Sequence, residues 1–124
     1  MQDSGLFTAM LEKGTAGKIL SGDLGAYKGA VYENIVADCF SKMNRNLYYF
    51  HKESGLEIDF VTKEADENTL IEVKATTGNT KSAATVLKNK EKFRAEKCIK
   101  LSANNIGCSG KIITLPYYMA FLIE

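Results

Sequence analysis

Residues 69–78 read TLIEVKATTG. Ile71, Val73 and Ala75 alternate with Glu72, Lys74 and Thr76, the period-two pattern of a half-buried strand. Because side chains of a strand alternate between faces, Glu72 and Lys74 share one face, a carboxylate and an ammonium two residues apart. That face is either a wetted surface or a site, and the neighbouring sequence bears on which.

Upstream lie two more strand patterns, 47–52 (LYYFHK) and 56–63 (LEIDFVTK). Short turn-forming stretches, ESG and EADEN, separate the three runs and predict an antiparallel meander. Strict alternation in 56–63 puts Ile58 and Phe60 on one face and Glu57, Asp59 and Val61 on the other. Pairing this strand with 69–76 brings Asp59 beside Glu72. Like charges placed opposite each other weaken a sheet. Two carboxylates held together raise a pKa or recruit a cation.

The helical patterns complete the order of elements. Residues 28–44 carry a narrow polar stripe of Asn34, Asp38, Ser41, Lys42 and Arg45, with Val31, Tyr32, Ile35, Val36, Cys39, Phe40 and Met43 around it. Such a helix is buried on most of its circumference. Glu33 lies off the stripe, and a carboxylate on an apolar face needs a partner. Residues 80–94 read as a basic helix capped by Asn79 or Thr80, with Ala84, Leu87 and Phe93 inward. Residues 97–103 and 111–115 read as strands, and Pro116 opens a short buried helix over YYMAFLIE. A helix between the third and fourth strands predicts a parallel crossover. The expected architecture is a single three-layer αβα domain of the α/β class with a mixed central sheet. Residues 1–27 form an N-terminal segment, a helix from Asp3 to Leu11 capped by Asp3 or Ser4 and then a Gly-rich loop with room for one helical turn near Ile19 and Leu20. Residues 28–124 form the main unit.

Composition narrows the class of function. The 124-residue chain is 45% apolar and 25% charged, with a net charge of +1 that favours no particular partner. The distribution is uneven: residues 53–72 sum to −6 and residues 81–100 to +5. This pattern fits a cation site beside an anion-binding surface, or two solvated surfaces that neutralise each other. Three cysteines without CxxC spacing indicate neither a disulfide framework nor a zinc site. Cys39 and Cys98, among apolar neighbours, read as small core hydrophobes. No apolar run approaches membrane-spanning length, and a reduced, cytoplasmic setting is the default.

GLEIDF followed by LIEVKA resembles the signature of the PD-(D/E)xK nuclease superfamily: an Asp, a loop, then Glu-x-Lys on the next strand. Here these are Asp59, Glu72 and Lys74, with twelve residues between Asp59 and Glu72. Glu33 takes the place of the helical Glu that the superfamily often adds. Residues 28–103 follow the order of its αβββαβ, restriction-endonuclease-like core. MQDSGLF, GAVYENIVADCF, GLEIDFV and IEVKA together are similar to the uncharacterised C-terminal domain that follows an AAA+-type ATPase module in many bacterial and archaeal proteins. On that likeness the chain is a fragment, with the ATPase upstream. GTAGKIL itself is no P-loop, since Glu12 stands at the first glycine position and Ile19 replaces Ser or Thr.

The resemblance implies a metal-dependent nuclease. Asp59, Glu72 and the carbonyl of Val73 would hold Mg²⁺ or Mn²⁺, Lys74 would orient the attacking water, and Glu33 would assist. Lys81, Lys88 and Lys92 would meet nucleic-acid phosphates flanking the scissile one. The alternative is a catalytically inactive accessory domain of the ATPase that binds DNA or a partner protein. Competing readings stand beside each residue. Glu33 could form a salt bridge with Lys74 or Lys42, and Lys74 could be a structural partner of Glu72 or Asp59. Glu57 reads as a rim charge, His51 as a surface or core-edge residue, and the tyrosines at 48, 49, 117 and 118 as sheet-edge packing. An exposed sheet edge would permit a homodimer.

Overall fold

A computed structural model describes residues 3–64, 66–76 and 78–123, without the side chain of Glu64. The expectations that touch Met1, Gln2, Ala65, Thr77 and Glu124 lie outside these residues. Among the described residues no helix is long and apolar enough to cross a membrane.

Six strands form one mixed sheet in the order β1-β2-β3-β4-β6-β5. They are β1 (Tyr48–Lys52), β2 (Leu56–Glu64), β3 (Glu67–Lys74), β4 (Ala95–Ser102), β5 (Gly107–Ser109) and β6 (Ile112–Pro116). The first three make the expected antiparallel meander, and β4 joins β3 in parallel. β6 continues in parallel beside β4, and the short β5 folds back on β6 as an antiparallel edge. Pairing of β2 with β3 runs to Glu64↔Glu67, so most of the acidic stretch belongs to the strands and not to a loop.

A helix packs on each face. α3 (Lys28–Lys42) buries Val36 and Phe40 against Ile71, Val73, Ile99 and Leu101. α4 (Lys81–Lys88) buries Ala83, Val86 and Leu87 against Ile58, Leu70 and Cys98. Neighbouring residues of β3 and β4 thus feed opposite cores, as the alternation of a strand buried on both faces requires. On α4 the inward stripe is Ala83, Val86 and Leu87, one position off the predicted Ala84, which is half-buried. The basic helix is also two pieces, because Asn89 leaves helical geometry (φ −104°, ψ 52°) before α5 (Lys90–Phe93).

At its C-terminus α3 has Asn44 at φ 55°, while the Asn44 N–H donates to the Ser41 carbonyl and the Arg45 N–H to that of Phe40. A left-handed residue with backward bonds of this kind is a common helix terminator, and Asn tolerates the conformation. Arg45 Nη1 then donates to the Ile123 carbonyl at 2.6 Å, tying the 3-10 helix Tyr117–Leu122 to the end of α3. In the N-terminal segment, α1 (Ser4–Ala9) is capped by Asp3, whose Oδ1 accepts from the Leu6 N–H at 2.6 Å. A second short helix, α2 (Thr15–Leu20), takes in the turn anticipated near Ile19 and Leu20 and extends it toward Thr15. The polar stripe of α3 is not wholly wet: Asn34 Nδ2 and Asp38 Oδ1 are buried without a hydrogen-bond partner, and α1 packs on α3.

One departure matters for the site. Tyr48 pairs with Val61 but Phe50 with Ile58, so β2 carries one extra residue opposite β1. The bulge slips the alternation. Ile58 and Val61 point into the core under α4, and Phe60 into the core under α3. The predicted grouping of Ile58 with Phe60 is therefore overturned, since strict alternation fails where a strand bulges.

Phe40 is fully buried at the centre of the α3 core. Phe40→Ala is expected to lower unfolding free energy by about 3–5 kcal/mol, the usual range for truncating a buried Phe. Urea denaturation followed by circular dichroism measures it.

Candidate functional site

The bulge sits where β2 and β3 part. Phe60↔Ile71 is the last pair of their ladder before the cleft, and Asp59 and Glu72 beyond it do not pair. The Asp59 side chain substitutes for the missing backbone acceptor: Oδ2 takes the Val73 N–H at 2.7 Å. The same oxygen lies 3.4 Å from Lys74 Nζ. Lys74 also pairs with Glu72 through Oε2, so its ammonium bridges both carboxylates. The expected convergence of Asp59, Glu72 and Lys74 is what the structure has.

Glu72 is 2% exposed, an extreme burial for an acid. Its second oxygen, Oε1, is buried and has no hydrogen-bond partner. Burial pushes the Glu72 carboxyl above its usual range, and the charges of Asp59 and Glu57 add to this while Lys74 opposes it. Lys74 feels burial pulling its pKa down, but its pairs with Glu72 and Asp59 outweigh that and hold it raised. The neighbour in register with Glu72 on β4 is Lys100, yet its ammonium donates to the Gly78 carbonyl at 2.8 Å.

These side chains open into a cleft of ≈ 210 Å³, walled on one side by Gly55, Glu57, Asp59, Glu72 and Lys74. Asn79, Lys81 and Ser82, at the start of α4, form the other wall. Lys81 thus stands at the carboxylates. Lys92 lines a separate groove on the same helical segment. Lys88 is exposed, outside both. Glu57 accepts from the Tyr49 hydroxyl at 2.8 Å and is a rim residue.

Glu33 is half-buried on α3, across the sheet from α4, and does not line the cleft. Neither predicted salt bridge forms: Lys42 pairs with Asp38, and Lys74 with Glu72 and Asp59. Burial raises the Glu33 pKa, and repulsion from Asp59 and Glu57 raises it further against the pull of Lys74. It therefore shares the field of the site without joining its contacts. Among the described residues, no three His, Cys, Asp or Glu side chains stand close enough to hold a metal ion.

Three supports went unread in the sequence. The Tyr117 hydroxyl donates to the Lys74 carbonyl, and Tyr32 stacks on the Tyr117 ring (centroids 4.2 Å apart), so Tyr117 does more than pack at an edge. A Cβ at Gly78 would lie 3.3 Å from Lys74 Cδ, so glycine leaves room for the lysine stem. No local pattern marks Tyr117, because it reaches the site from 43 residues away. Cys98 is buried, with burial pushing its thiol up to about 12, and Cys39 is only half-buried.

A family model described as Domain of unknown function (DUF4143) matches residues 28–118, most of the chain, and the chain belongs to that family. No curated protein and no solved structure matches it significantly.

Lys74→Ala leaves Glu72 buried and short of its ion-pair partner, at an expected cost of about 3 kcal/mol. A carboxyl with a raised folded pKa contributes stability that is complete below the unfolded value of 4.5 and is lost as pH rises through the folded value. Without Lys74 the Glu72 pKa climbs further, so the deficit should be small at pH 4.5 and grow toward pH 7. Urea melts across that range test it, and a deficit independent of pH would contradict it.

Proposed function

We propose that this member of the family is a nuclease-like domain that hydrolyses phosphodiester bonds of nucleic acid with Mg²⁺ or Mn²⁺. In this reading it has the restriction-endonuclease-like core and serves, in the cytoplasm, as the C-terminal domain of an AAA+-type ATPase. The observation that carries the reading is Glu72 Oε1, a buried carboxylate oxygen with no hydrogen-bond partner, on a residue that lines the same cleft as Asp59. Leaving such an oxygen unsatisfied is costly, and a bound cation would supply the missing contact.

The donor set suits that ion. Mg²⁺ takes oxygen ligands, keeps several waters and needs only one or two protein carboxylates. Asp59 and Glu72 would provide these, with the carbonyl of Val73 as a third donor. When bound, the ion would supply a water of lowered pKa and offset negative charge on the phosphate. Lys74 would direct the attacking water and stabilise charge that develops as the bond breaks. Glu33, raised in pKa and outside the cleft, would act at longer range on the charge balance.

A second reading is a non-catalytic accessory domain that binds DNA or a partner protein. It is favoured by the ammonium of Lys74, which already pairs with both carboxylates and offsets one of their two charges. Calorimetric titration with Mn²⁺ separates the two. Binding that Asp59→Ala abolishes, with cleavage of DNA or RNA that Lys74→Ala lowers at least about a hundredfold while Mn²⁺ still binds, supports catalysis. Absence of Mn²⁺ binding and of cleavage leaves the accessory domain.

A further inference from the structure

We propose that nucleic acid lies in a trench that runs from the carboxylate cleft past Gly55 to a phosphate subsite made by Lys52 and Lys92. The inference rests on the reading of the cleft as a phosphodiester site, and it names where the flanking backbone binds.

Beside the cleft is a groove of ≈ 390 Å³ whose lining includes Lys52, Ser54 and Gly55 on one wall and Thr85, Asn89 and Lys92 on the other. Gly55 lines both depressions, so they meet there. It sits at φ +80° with no atom within 4 Å of a would-be Cβ, a turn position that favours glycine and leaves the junction open. The opposite wall is continuous too. Ser82 faces the cleft and Thr85, three residues on along the same face of α4, lines the groove; Asn89, at the break, and Lys92, on α5, line it further along.

The charges are sorted along the trench. At one end the carboxylates of Glu57, Asp59 and Glu72 lie with Lys74 and Lys81, and a cation would be held there. At the other end both charged lining residues are lysines and none of the described lining residues is acidic; Glu53, in the same turn, does not line the groove. Two ammoniums suit the repeating phosphates of a nucleic-acid strand, while Thr85 Oγ1 and Asn89 Nδ2 donate to the carbonyls of Lys81 and Thr85 and hold the wall in place. An exposed Lys88 on the same segment lies outside the trench and provides an internal comparison.

The test is fluorescence anisotropy of the full chain with labelled duplex DNA, single-stranded DNA and single-stranded RNA, in EDTA so that cleavage plays no part. Lys52→Gln with Lys92→Gln should weaken binding to at least one of these about tenfold and reduce the log–log salt slope by about two. Lys88→Gln should change affinity less than twofold, and Lys52→Arg with Lys92→Arg should bind as the native chain does. The proposal is overturned if the double variant binds like the native chain, if Lys88→Gln weakens binding equally, or if no probe binds. The three probes decide which strand type is held. Binding that follows the prediction without metal-dependent cleavage sinks the catalytic reading alone.

Discussion

The hydrogen bond from the Val73 N–H to Asp59 Oδ2 is where the sheet stops being regular and the site begins. In a continuous ladder that N–H would meet a backbone carbonyl. Here a bulge carries β2 away from β3, and a side chain completes the bond. Because the backbone donor would otherwise be orphaned, Asp59 is fixed by a structural need as well as by its charge. Its geometry is consequently determined by the fold itself.

Everything else at the site follows from holding three charges in a nearly dry place. Glu72 sits on a strand buried on both faces, Lys74 lies two residues on, and Asp59 approaches from the parted strand. Removing ions from water is expensive, and an ion pair offsets that only when its hydrogen-bonding capacity is filled. The network is one contact short, at Glu72 Oε1. Tyr117 and Gly78 support Lys74, one by bonding its backbone and one by giving its stem space. These supports come from the far end of the chain and from the segment after β3, so the site depends on the whole sheet.

The helix after β3 links core and surface. Its inner stripe, Ala83, Val86 and Leu87, closes the second core. Its next face, Ser82 and Thr85, walls the cleft and the groove, and Asn89 and Lys92 beyond the helix break extend that wall. Packing one face therefore aims the other along the sheet edge, toward the β1–β2 turn. Of the acidic segment, Glu57, Asp59 and Glu72 reach the cleft, while Asp66 and Glu67 line a separate depression with Lys90 and Arg94.

The sequence by itself determined the kind and order of most elements. Periods of two and 3.6 are local, and runs such as LIEVKA and the helix around Phe40 carry them within a few residues. It also singled out Asp59, Glu72 and Lys74, because buried-looking strands seldom carry three charges without cause. Only the tertiary structure decided the bulge that separates Ile58 from Phe60, the short β5, the break at Asn89, the distance of Glu33 from the cleft and the bond from Tyr117 to Lys74. Each of these depends on which neighbour a residue meets across the sheet. Glu33 shows the difference plainly: its helix could be read from spacing, but the face of the sheet on which that helix packs is a property of the assembled core.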